Sequence, residues 1–123
     1  MKRIIQTLIL VAVFNHSSAQ DLPKNILGCW KGTDRDIVIE IFQAPDSTCN
    51  GRIMKAESNQ DVGKLLLQQL RYDDDKKNHS GLLVKPDNGM TIGVAVSIVN
   101  NQLKVIARIL FITKTFVFTR AFE

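Results

Sequence analysis

Met90 to Val99 most limits what this chain can fold into. Large Ile92, Val94, Val96 and Ile98 alternate there with small or polar Thr91, Gly93, Ala95 and Ser97. A period of two suits a strand with one buried face, because successive side chains of a strand point to opposite faces. The same period returns at Ile37, Ile39 and Ile41, which alternate with Val38, Glu40 and Phe42. It returns again at Leu103, Val105, Ala107 and Ile109, and in "TKTFVFTRAF", where Phe116, Phe118, Arg120 and Phe122 share a face. No helical period persists long enough for βαβ units.

Turn chemistry separates these runs. "APDSTCNG" between Phe42-Gln43 and Arg52-Ile53 predicts a hairpin, with Ile53 on one face of the return strand and Arg52 and Met54 on the other. Pro86-Asp87-Asn88-Gly89 is a turn with Gly where a positive φ is needed, and Asn100-Asn101 is another. Leu65, Leu66, Leu67 and Leu70 fit a short helix about as well as a strand. The acidic and basic run Asp73 to Asn78 reads as a solvated loop, with His79 in it. Short strands with turns between them give an all-β, antiparallel barrel or sandwich.

Met1-Lys2-Arg3, the apolar run Ile4 to Phe14 and the small residues Ser17 and Ala19 have the layout of a secretory signal peptide cut after Ala19. This almost unbroken run of eleven residues is too short for a membrane span, which needs about 20. Export to the periplasm or the medium is therefore expected, with residues 1–19 as signal and residues 20–123 as one domain. Removing Lys2 and Arg3 lowers the formal charge from +4 to +2. That balance, with no long basic cluster, argues against nucleic acid as a partner.

Cys29 and Cys49 both fall in the exported part, where a bridge between them is chemically allowed and two separate thiols are the alternative. Cys29 could instead be a lipoprotein site, but fourteen residues separate it from Phe14, including Asp21, Pro23, Lys24 and Asn25. Gly28-Cys29-Trp30 reads as part of the folded domain. If the sheet closes, the first and last strands become neighbours and both edges disappear. Arg120, on the face of Phe116 and Phe118, could then stack on Trp30 and donate to nearby carbonyls; the alternative is an arginine reaching into water.

Catalytic candidates are few. His79 is the only histidine after residue 16, with no nucleophile or orienting acid at a recognisable spacing. Asp73-Asp74-Asp75 lacks the alternate-residue spacing of a calcium loop, and no zinc spacing occurs. Neither catalysis, metal nor cofactor is expected.

Several motifs recur in a fixed order: Gly28-Cys29-Trp30, Ile39-Glu40-Ile41, Gly51-Arg52-Ile53, Gly63-Lys64-Leu65-Leu66, Pro86-Asp87-Asn88-Gly89, Leu103-Lys104-Val105 and Phe118-Thr119-Arg120. In this order the chain resembles the small exported bacterial proteins called domain of unknown function 2147, within the calycin and lipocalin group. The resemblance implies a calycin-like (lipocalin-like) β-barrel of about eight strands. Lys85, Ile92, Ile106-Ala107 and Phe118 stand where that family usually has Asp, Tyr, Arg-Gly and Trp. Several of the family's polar or aromatic positions are thus apolar here.

Such a barrel is either filled by its own side chains or leaves room for one small ligand. Trp30, Ile39, Ile41, Ile92, Val94, Val96, Val105, Phe116, Phe118 and Arg120 are the candidate lining. Their chemistry suits a small apolar ligand bound without catalysis by a monomer. The alternative is a solid barrel that contacts an envelope protein through Val38, Glu40 and Phe42 or the leucines at 65–70. A connected apolar space of several hundred cubic ångströms would separate the two.

Overall fold

A computed structural model describes residues 25–121. The expected signal segment, its cut site and Phe122 lie outside these residues. Eight strands follow one another: β1 (Gly28–Gly32), β2 (Val38–Gln43), β3 (Cys49–Lys55), β4 (Leu65–Asp73), β5 (Asn78–Val84), β6 (Thr91–Val99), β7 (Gln102–Ile109) and β8 (Ile112–Arg120). Each pairs antiparallel with the next, and β1 pairs with β8, so the sheet is a closed barrel. The only helical turn among the described residues is a 3-10 turn at Asn59–Asp61. The all-β antiparallel expectation is met, in barrel form.

Alternation places the core. Ile39, Ile41, Ile53, Val94, Val96, Leu103, Val105 and Phe118 all point inward and are buried. Fully burying each such side chain stabilises the fold by about 1.5–3 kcal/mol. The expected turns form, with Asn100 and Asn101 at φ 54° and 65° and Gly89 at 74°.

The leucine stretch is strand, and its spacing has a cause. Leu67 and Leu70 are both buried although three residues apart, which a regular strand cannot achieve. A bulge around Gln69, whose φ is 56°, shifts the register and turns Leu70 back inward. The extra backbone presses on β5 at Gly81. A Cβ there would stand 2.7 Å from both the Gln68 carbonyl oxygen and Leu70 Cδ2.

His79 corrects its expected place. The charged turn ends by Lys77, and His79 sits in β5, paired with Tyr72 and Val96 and only 5 % exposed. Its ring meets Tyr72 edge-on at 5.1 Å.

Cys29 and Cys49 are separate thiols. The physical reason lies in the pleat. Cys29 precedes the inward Trp30 and faces out beside Glu40, whereas Cys49 shares the inward face of Gly51 and Ile53. The barrel wall lies between them. Burial also pushes the Cys49 thiol up in pKa, which keeps it protonated and unreactive.

Candidate functional site: a floor and a mouth

Antiparallel order sends alternate turns to opposite ends. One end, the floor, carries the turns 44–48, 74–77 and 100–101; the other, the mouth, carries 33–37, 56–64, 85–90 and 110–111.

The floor is sealed by the segment before β1. Ile26 is fully buried, and Trp30 Nε1 donates to its carbonyl at 2.9 Å. Arg120 stacks on the Trp30 ring with its Cζ 4.0 Å from the centroid. The same guanidinium donates to the Leu27 carbonyl at 2.6 Å and the Asn25 carbonyl at 3.1 Å. Gly28 makes this approach feasible: its φ is +116°, and a Cβ would stand 2.8 Å from Arg120 Nη1. In the same end wall Thr48 is buried, its hydroxyl donating to Asp46 Oδ1 at 2.6 Å. That bond, with a second from the Thr48 amide, holds the Asp46 carboxyl below its usual pKa.

The mouth end is hollow. A cavity of about 500 Å³ enters there, walled by Ile37, Ile53, Leu66, Leu67, Leu83, Ile92, Val105, Ala107, Phe116 and Phe118. Its rim carries Arg35, Lys85 and Lys114, together with Asp36, Glu57 and Asp61. Two of those acids are engaged, Asp36 with Lys55 at 3.4 Å and Asp61 with Lys64 at 3.3 Å. Arg35 lies 6.0 Å over the Phe116 ring, and among the described residues neither it, Lys85 nor Lys114 forms an ion pair. A recess of about 200 Å³ opens sideways between the 32–37 loop and β8, sharing Ile37 and Phe116 with the main cavity.

Of the expected lining, Ile92, Val105, Phe116 and Phe118 wall this cavity. Trp30, Ile39, Ile41, Val94, Val96 and Arg120 do not; they belong to the packed floor and lower core. This division has a simple cause: alternation tells inside from outside but not height along the barrel axis. Leu66 comes from the leucine stretch, Leu83 from β5, which directly follows the charged turn, and most of the charged rim from loops, so sequence reasoning did not place them in the lining.

The outward row is self-satisfied at its centre. Arg52 donates to Glu40 at 3.1 Å and lies 4.8 Å over the Phe42 ring. Among the described residues no helix is long and apolar enough to cross a membrane, and no three His, Cys, Asp or Glu side chains converge as metal ligands. Comparisons with protein-family models, with curated proteins and with solved structures found no match.

Proposed function

We propose that this is an exported protein that binds a small apolar ligand, without catalysis, in the mouth of its barrel. The observation that carries the reading is the cavity of about 500 Å³ with a wall of Ile, Leu, Val and Phe. Ligand sites of this kind span about 300–1,000 Å³ and are mostly apolar. A sealed floor and a hollow mouth favour a binder over a barrel solid throughout. Export rests on the layout of residues 1–19, and a place among the domain of unknown function 2147 proteins rests on the order of motifs from Gly28-Cys29-Trp30 to Phe118-Thr119-Arg120. The barrel architecture is compatible with both.

Native mass spectrometry of residues 20–123, purified from source cells before and after organic extraction, tests the reading. An extra mass that extraction removes is the expected result and identifies the cargo. A clean apo mass, with no thermal shift across a panel of lipids and other apolar molecules, would sink it.

A further inference from the structure

The hairpin joining β7 and β8 is unlike the rest of the surface. Leu110 and Phe111 form its two-residue loop and are 87 % and 101 % exposed, beside Ile112 at 60 %. Leu110 holds φ 55°, a geometry that hairpin loops normally give to Gly or Asn. An apolar residue therefore occupies a position whose backbone disfavours it, in full contact with water. Such local strain points to a use.

The hairpin also stands apart from its neighbours. The ladder to β6 ends at Ala107, and the ladder to β1 ends at Phe118, with two further bonds from the Thr33 amide and hydroxyl to the Val117 carbonyl. Beyond these, Arg108–Thr113 and Ile109–Ile112 pair only with each other. At about 3.4 Å per residue the tip reaches about 10 Å past its last rung to β6. Apolar elements lying in a bilayer interface are buried about 5–10 Å, so Arg108 and Lys114 would then stand at headgroup level.

Charge favours an anionic surface. Of the charged residues from Asn88 to Phe122, which include no carboxylate, Arg108 and Lys114 flank the tip, while Arg120 lies at the floor. Ile109 and Ile112 form a cross-strand pair on one face of the ribbon, Arg108 and Thr113 pair on the other, and Leu110 and Phe111 cap the end.

We propose that this hairpin inserts its tip, Leu110 and Phe111, into an anionic lipid surface, and so docks the barrel mouth-down on a membrane. The inference rests on the hairpin and stands whether or not the cavity holds a ligand.

Residues 20–123, which retain the whole closed barrel, are mixed with phosphatidylglycerol vesicles or with phosphatidylcholine vesicles and sedimented. The protein should pellet with the anionic vesicles at low salt. Leu110→Ser/Phe111→Ser should weaken binding more than about tenfold by removing most of the inserted apolar area. Arg108→Gln/Lys114→Gln should weaken it and flatten its salt dependence. In a Phe111→Trp variant, emission should shift blue and be quenched by brominated acyl chains, while Trp30, buried in the floor, should not respond. Absence of pelleting by the folded, unsubstituted chain would overturn the proposal, as would pelleting that the Ser variant retains. A blue shift that follows protein concentration without vesicles would assign the tip to a second copy and likewise overturn it. Phe111→Trp reports even if the double Ser variant fails to fold.

Discussion

Arg120 lies face-on to Trp30, its guanidinium carbon 4.0 Å from the ring centre, across a rung that joins the last strand to the first. One side chain thus closes the barrel and holds the preceding segment, through the Leu27 and Asn25 carbonyls. Arg120→Ala should cost about 2–4 kcal/mol, from the lost cation–π contact and the stranded carbonyls. Arg120→Lys should recover only a minor part, because an ammonium cannot stack and serve two carbonyls together. Urea titration measures both; a loss under about 0.5 kcal/mol for the Ala variant would make the contact incidental.

Gly81 faces the β4 bulge with no space for a methyl group. Gly81→Ala should destabilise by about 1–3 kcal/mol, since both 2.7 Å contacts belong to a well-packed wall. An unchanged thermal midpoint would show that the bulge yields freely.

Stability should fall on acidification. Burial holds the His79 pKa below its ordinary value of 6.5, and Nδ1 has no hydrogen-bond partner among the described residues. The unfolded chain therefore takes up a proton near pH 6.5 that the folded chain refuses. The stabilisation due to neutral His79 is complete above that pH and is lost as pH falls from it towards the depressed folded value. His79→Phe should remove this slope between pH 7 and 5 in urea titrations, and retention of the full slope would place its origin elsewhere.

Ile92 stands in the cavity wall near the start of β6. Ile92→Trp should fill much of the space with little loss of stability, because the added rings enter a void instead of a packed core. Displacement of an apolar fluorescent probe reads the effect, expected as at least a tenfold loss of affinity. Unaltered probe binding would place the ligand outside the cavity.

Leu110→Gly should raise stability by about 1 kcal/mol, since only Gly adopts the positive φ at no steric cost. The same change should weaken vesicle binding. A variant that is both steadier and poorer at docking would show that strain at the tip is retained for use.

Strand positions were legible because alternation with period two is a local property, and the Trp30–Arg120 pair was legible because Arg120 shares the face of Phe118. Leu67 and Leu70 misled by their spacing of three, which imitates a helix and arises from a bulge. His79 looked like loop because its sequence neighbours are charged, while the turn itself spans only 74–77. The split between floor and mouth was not legible at all. Ile37 walls the cavity and Ile39 is packed, yet both have the same local pattern. What separates them is height in the barrel, fixed by pairing with strands distant in sequence.

The pinning of Asn25 and Ala121 to the floor gives the molecule a polarity. Ala121 donates to the Cys29 carbonyl at 3.0 Å, and Asn25 accepts from Arg120, so both described ends of the chain leave from the sealed base. Both points of attachment therefore lie at the end of the barrel opposite its opening. The opening and the apolar tip beside it thus lie away from both attachment points, so a fusion or label at either end leaves the mouth unobstructed.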